Sequence, residues 1–409
     1  MSRPEPLSLF AGFGVELEYM IVDAQTLSVR PVADALLAAG AGEPTGDVER
    51  GEICWSNELV AHVVELKVNA PSESFEPLPA LFQSNVNEIN SLLAPLGARL
   101  MPAGMHPWMD PERETRLWPG EYGEVYQAFD RIFGCRGHGW ANLQSVHLNL
   151  PFANDGEFAR LHAAIRLVLP ILPALTASSP VVEGRVTGLM DNRLEVYRTN
   201  SKKIAGVAGR VIPEPAFSQA AYQAQILDPL YAEIAPHDPA GVLRNEWLNA
   251  RGAIARFSRN TIEIRVMDVQ ECPLADVAIC AVVVAVLRCL VAERWSSLAS
   301  QQGVGVEPLA EILLPTICHA EQALIRKREY LTLFGYAGDS CTTGELWRHL
   351  LNSLPEVTNS SSPWHEPLRV LLDEGPLARR ITRALETEDL RSVYGDLCRC
   401  LATGEMFSL

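Results

Sequence analysis

GVELEYMIVD, residues 14–23, decides how the rest of the chain is read. Val15, Leu17, Tyr19 and Ile21 alternate with Glu16 and Glu18. Alternation at period two is the signature of a β-strand with one buried face. On such a strand both carboxylates point the same way, their Cβ atoms roughly 7 Å apart after two steps of about 3.3 Å. Like charges held so close repel unless something neutralises them.

Three further segments repeat the pattern. NELVAHVVELKVNAP (57–71) carries Glu58 and Glu65. SVHLNLPF (145–152) sets Ser145, His147 and Asn149 against Val146, Leu148 and Leu150. TIEIRVMD (261–268) sets Thr261, Glu263 and Arg265 against Ile262, Ile264 and Val266. A spacing of seven puts Glu58 and Glu65 on opposite faces of an unbroken strand, so an irregularity is expected just after Glu58.

For any one strand, a solvated polar face is explanation enough. Taken together the polar faces are chemically selective: five glutamates, one histidine, one arginine and almost no lysine. A divalent cation would relieve the repulsion. Oxygen ligands with one imidazole suit Mg²⁺ or Mn²⁺, and Mg²⁺ commonly sits between carboxylates and substrate phosphates. Arg265, two residues from Glu263 on the same face, is suited to a phosphoryl group in flight; the alternative is a plain Glu–Arg ion pair.

The bulk composition has an ordinary globular balance. Of 409 residues, 48% are apolar and 21% charged. The 34 basic against 50 acidic residues give a net charge of −16, which argues against a nucleic-acid-binding surface but not against a local basic phosphate pocket. Nine scattered cysteines without a CxxC pair read as reduced thiols, with neither disulfide frame nor zinc site. MSRPEPLSLF at the N-terminus lacks a signal-peptide core. The longest apolar run, VAICAVVVAVL (277–287), is too short to span a bilayer and reads as a buried helix. These features together predict a cytoplasmic protein with no membrane or nucleic-acid partner.

Strand candidates are Phe13–Val22, His62–Val68, Arg99–Pro102, Gln144–Leu150 and Thr261–Met267. Helix candidates are Ser74–Leu96, Glu157–Ala177, Pro215–Ile234 and Leu274–Ser297. Strands separated by long helices, without a regular βαβ series, favour an α+β fold with a largely antiparallel sheet. No Walker or dinucleotide glycine loop is present. From about Gln301 the chain turns helical, as in Leu309–Leu331 and Pro376–Leu397, with a loop at Pro355–Trp364. The expected division is a catalytic domain over 1–300 and a helical extension over 301–409 packed on it.

In this order along the chain, GVELEY, NELVAHVVEL, LMPAGMHPW, SVHLNLPF, LPALTASSP and TIEIRVMD resemble the glutamate–cysteine ligase type 2 family of carboxylate–amine ligases. That family lies within the glutamine-synthetase-like superfamily, and the resemblance covers about residues 10–295. It implies a curved, mainly antiparallel sheet of about six strands forming an active-site funnel, with helices on the outer side. It also implies that ATP phosphorylates a carboxylate, that an amine attacks the acyl phosphate, and that two or three Mg²⁺ ions bridge protein and nucleotide.

Carried over by position, Glu16, Glu18, Glu58, Glu65 and Glu263 are the implied metal ligands. Arg265, Glu65 and His147 are the implied catalytic residues. His147, Arg265, Glu65 and Asn149 are the implied nucleotide contacts. The sequence departs from the pattern in having one histidine in SVHLNL where many relatives carry two. It departs again in VVEGRVTGLMDNRLEVYR (181–198), where Thr187, Arg193 and Arg198 are candidates for the substrate pocket, against a surface salt bridge.

The expected substrates are an amino-acid carboxylate, such as the γ-carboxylate of glutamate, and an amine. A homodimer is the default assembly. Two alternatives stand beside the ligase: a guanidino or other small-molecule phosphotransferase of the same superfamily, and a non-catalytic nucleotide-binding protein.

Overall fold

A computed structural model describes residues 5–408. Its main sheet has eight strands: β1 (Gly14–Asp23), β2 (Asp47–Arg50), β3 (Ile53–Asn57), β4 (Val63–Val68), β5 (Ala98–Met101), β6 (Ser145–Pro151), β7 (Ala253–Arg256) and β8 (Thr261–Asp268). They hydrogen-bond in the order β2-β3-β4-β1-β6-β8-β7, and β5 pairs with the C-terminal half of β1. Every pairing is antiparallel. The sheet thus has two more strands than the six expected. The sequence reading passed over β2, β3 and β7. β3 is buried on both faces and so shows no alternation, and β2 and β7 are only four residues long.

β1 is the central strand because its odd-numbered side chains are apolar on a sheet covered by helices. Val15, Leu17, Tyr19 and Ile21 are fully buried. They share one core with Phe82, Val86 and Ile89 of α1 (Leu78–Leu93). Between β5 and β6 lies α2 (Gly123–Phe133). After β6 come α3 (Asp155–Val168), opened by the Asn154 side chain accepting from the Glu157 amide, and α4 (Asn192–Asn200). The helix expected over Glu157–Ala177 is broken. A 3₁₀ turn at Leu169–Ile171 and a short helix at Pro173–Thr176 follow α3, since Pro170 and Pro173 have no N–H to donate back along a helix.

The apolar run after β8 forms α5 (Pro273–Val291), 19 residues long. By length and composition it could cross a membrane, so the expectation that it is too short is corrected. What argues for a core helix is burial: 78% of its most apolar stretch lies inside the protein. Helices α1 and α3 pack against it.

The last hundred residues form α6 (Val306–His319), α7 (Thr343–Asn352), α8 (His365–Asp373), α9 (Leu377–Ala384) and α10 (Leu390–Thr403). The Leu309–Leu331 and Pro376–Leu397 stretches are therefore each interrupted, and the Pro355–Trp364 loop opens with a helical turn at Pro355–Thr358. Leu309, Ile317, Trp347 and Leu351 belong to the same core as β1. Trp347 Nε1 donates to the Ile171 carbonyl at 2.8 Å. A second cluster joins Leu377, Ile381, Tyr394 and Leu397 to Met20 and Val22 of β1 and Met101 of β5. Met20 and Val22 share the strand face of Glu16 and Glu18. The last two helices thus cover one half of that face and leave the acidic half to the site.

Candidate active site

The register of β1 with its neighbours assembles the acidic face. Glu16 lies opposite His147 on β6 and Lys67 on β4, and Glu18 lies opposite Glu65. Ser56 on β3 pairs with Glu65 across the β3–β4 hairpin. β3 ends at Asn57 and β4 begins at Val63, so Glu58 falls just past the strand end. The chain is non-strand where an irregularity was expected, and Glu58 turns toward Glu65.

Two groups of ligand atoms result. Glu16, Glu65 and His147 each offer one atom within 4.8 Å of the others, and so do Glu18, Glu58 and Glu65. Glu65 belongs to both. Glu263 is held between Arg265 Nε at 3.1 Å and Arg256 Nη1 at 3.1 Å. Asn149 Nδ2 donates to Glu16 Oε1 at 2.9 Å. Glu18 Oε2 accepts from the Ser145 amide at 2.6 Å and from its hydroxyl at 2.8 Å.

The electrostatics divide the glutamates. Burial and the charges of Glu18 and Glu65 push Glu58 well above the usual carboxylate range. Burial and Glu16 likewise raise Glu65, against Lys67 and Ser56. Burial also works against charge on Glu263 and Glu16. It is outweighed at Glu263 by Arg265, His147 and Arg256, and at Glu16 by the bond to His147, so both are lowered. Burial works against charge on His147, but the bond to Glu16 and the surrounding carboxylates raise it to about 9. Its Nδ1 donates to Glu16 Oε2 at 3.0 Å, and its Nε2 lies 2.9 Å from the Ser145 hydroxyl.

The sequence reading missed two cations here. Lys67 Nζ donates to Glu65 Oε2 at 2.9 Å and to Ser56 Oγ at 2.7 Å. The signal was present, because Glu65 and Lys67 are two apart on one strand. Arg256 belonged to an unrecognised strand and gave no such signal.

Beside the cluster lies a cavity of about 490 Å³. Glu18, Glu58, Ser145, His147, Arg193 and Arg265 form a charged and polar part of its lining. Tyr126 and Phe129 of α2, with Trp140, Leu143, Trp247 and Leu248, add an aromatic and apolar part to the lining. Arg193, on α4, reaches the wall through Asp268. Its Nη1 lies 3.4 Å from Asp268 Oδ1, and its Nη2 donates to the Arg265 carbonyl at 2.9 Å.

Thr187 and Arg198 are placed differently. Arg198 is clamped by Glu195 with two bonds of 2.7 Å, and Thr187 is tied to the Asn192 amide; neither lines the cavity. His62 and His106 are fully buried and bond the carbonyls of Ala141 and Leu27.

The sequence profile of glutamate–cysteine ligase family 2 matches residues 12–396. The chain belongs to that family. An uncharacterized protein of Archaeoglobus fulgidus is 34% identical over 96% of this chain and 99% of its own length. A protein of Rubrobacter xylanophilus, provisionally named glutamate–cysteine ligase 2-3, is 30% identical over 45% of this chain and 47% of its own. One of Corynebacterium glutamicum with a similar provisional name is 26% identical over 68% and 66%. Among solved structures, the glutamate–cysteine ligase of Francisella tularensis in complex with AMP superposes with a TM-score of 0.59, covering 96% of this chain and 88% of that one. At 10% identity that likeness speaks to the fold. The α+β fold with its mainly antiparallel sheet is thus the one the motifs implied.

Proposed function

We propose that this ligase-family protein is an ATP-dependent carboxylate–amine ligase that makes an amide through an acyl phosphate. The observation that carries the reading is the pair of acidic groups sharing Glu65, with Arg265 on the same face. The donor set fits Mg²⁺ or Mn²⁺: carboxylate oxygens with one imidazole, and no thiolate among them. Burial and neighbouring carboxylates disfavour charge on Glu58 and Glu65, and a divalent ion there would supply the positive charge that lets both ionise. Glu16, Glu18, Glu58, Glu65 and Glu263 would hold two or three such ions with His147. Bound there, the ions supply charge neutralisation of the nucleotide phosphates.

The residues of the chain then position and stabilise, which is most of what phosphoryl transfer needs. Arg265 is the fork for the transferred phosphoryl oxygens. Asn149 fixes Glu16, and Ser145 fixes Glu18. Arg193, on the cavity wall, is suited to the substrate carboxylate. The carboxylate oxygen takes the terminal phosphoryl group and ADP leaves. The amine nitrogen then forms a bond to the acyl carbon, the acyl C–O bond breaks, and phosphate departs with the ammonium proton passing to solvent.

The test is ADP and free-phosphate release with Mg²⁺, ATP, glutamate and a panel of amines. Release of both in equal amounts, lost in Glu16→Gln, is the expected result. ADP with a phosphorylated product and no free phosphate would assign a phosphotransferase instead. Nucleotide binding without ADP release from any pair would assign a non-catalytic protein.

A further inference from the structure

The cavity lining combines a charged set and an aromatic set of side chains, and the aromatic set exceeds what cysteine needs. Its aromatic wall is Tyr126, Phe129, Trp140, Leu143, Trp247 and Leu248. The rings form a connected group: Phe129 lies 5.3 Å from Trp140 and 5.8 Å from Trp247, centroid to centroid. Two polar atoms among these rings are taken up within the protein, while Asn200 Oδ1 and the Tyr197 hydroxyl, also in the lining, have no partner among the described residues. Trp140 Nε1 donates to the Asn200 carbonyl at 3.1 Å, and the Tyr126 hydroxyl accepts from Asn57 Nδ2 at 3.1 Å. The cationic side chains among the lining residues, Arg193, Arg265 and His147, are paired with Asp268, Glu263 and Glu16.

We propose, building on the ligase reading, that the aromatic part receives the body of the amine acceptor. That acceptor is then a primary amine with an aromatic or bulky branched apolar group and no distal carboxylate. Two features support this. The wall of Tyr126, Phe129, Trp140, Leu143, Trp247 and Leu248 offers more apolar surface than a cysteine side chain covers, in a cavity that also admits the donor carboxylate near Arg193. The aromatic faces add cation–π attraction for an incoming ammonium and apolar contact for what it carries. A carboxylate at the far end of the acceptor would be desolvated there with no cation to meet it.

Adenine is the competing occupant, since it also stacks on aromatic rings. The cavity touches the group built on Glu18 and Glu58, whereas Glu16, Glu65, Asn149 and Glu263 do not line it. His147 and Arg265 line it as well, so competition between nucleotide and amine decides between the two occupants.

The experiment uses the full chain with Mg²⁺, ATP and glutamate, and compares 2-phenylethylamine, isoamylamine, phenylalanine and cysteine as acceptors. Turnover is read as ADP release and by the mass of the amide. In parallel, binding of 2-phenylethylamine is read from tryptophan fluorescence, because Trp140 and Trp247 line the cavity. The two carboxylate-free amines are expected to exceed cysteine and phenylalanine by about tenfold or more in kcat/KM. Phe129→Ala is expected to lower kcat/KM for 2-phenylethylamine by about tenfold. Ala250→Leu, which fills the cavity instead of emptying it, is expected to lower it similarly. Nucleotide affinity should stay within about twofold in both variants.

Turnover with cysteine while the aromatic amine is inert would overturn this inference and leave the ligase reading intact. A nucleotide affinity that falls in both variants, with nucleotide displacing the amine, would assign the cavity to adenine and also overturn it. If no amine is turned over, the ligase reading fails. Saturable 2-phenylethylamine binding that Ala250→Leu abolishes would then still uphold the cavity's ligand class, and its absence would sink it.

Discussion

At the residue scale, the site works by holding charges that oppose one another. Arg265 forms an ion pair with Glu263, Nε to Oε1 at 3.1 Å, and lines the cavity. Lysine at this position keeps the charge and loses the planar fork. Arg265→Lys is therefore expected to lower kcat by about 10²–10³-fold with nucleotide affinity little changed, as measured by ADP release and calorimetry. His147 gives a second prediction. Its pKa of about 9 means that it carries a proton at neutral pH, and an imidazole must lose that proton to ligate a metal. Affinity for Mn²⁺ should rise between pH 7 and 8.5, by up to about tenfold per unit, and the rise should flatten in His147→Asn. A pH-independent affinity in the parent protein would remove His147 from the ligand set.

At the element scale, strands deliver the acidic side chains, and one loop and one strand irregularity adjust the site. The break after Asn57 is what lets Glu58 meet Glu65, and the β8 register shift between Ile264 and Met267 falls beside Arg265. Asp268, at the end of β8, holds Arg193 and is packed against Gly104 of the GMHPW segment. A Cβ at Gly104 would meet Asp268 Cγ at 2.5 Å and Oδ2 at 2.6 Å. Gly104→Ala must push the carboxylate and, through it, the Arg193 guanidinium. It is expected to destabilise the fold by about 1–3 kcal/mol and to raise KM for the carboxylate substrate more than it lowers kcat. Urea unfolding and steady-state kinetics check the two parts separately. An unchanged KM would mean that Arg193 does not touch that substrate.

At the scale of the whole molecule, three buried histidines set an acid limit. Burial lowers His62 and His106 to about 4 and, helped by the Arg166 charge, His162 to about 3. The unfolded chain takes up protons on these rings below about pH 6.5, where the folded chain does not. Their contribution is present in full above that pH and is lost as pH falls toward 4. The slope is roughly 1.4 kcal/mol per pH unit per ring. Raised carboxyls such as Glu58, Asp191 and Asp276 act in the opposite sense, so the histidine share is read by difference: from pH 7 to 5 the urea midpoint of His162→Gln should gain on that of the parent protein.

The sequence by itself determined the strands that carry chemistry and the sides they present. Period-two alternation is local, so Glu16 with Glu18, His147 with Asn149, and Glu263 with Arg265 were legible from spacing alone. The break between Asn57 and Val63 was legible too, because two carboxylates seven apart cannot share an unbroken strand face. The tertiary structure decided what depends on distance along the chain. Strand order brings Lys67 and Arg256 to the glutamates, and β7 is too short to announce itself. Proline broke the long helices, and burial, not length, explains the apolar helix as core. Above all, the aromatic wall is gathered from residues between Tyr126 and Leu248 that have no common period, so only folding could set it beside the acidic face.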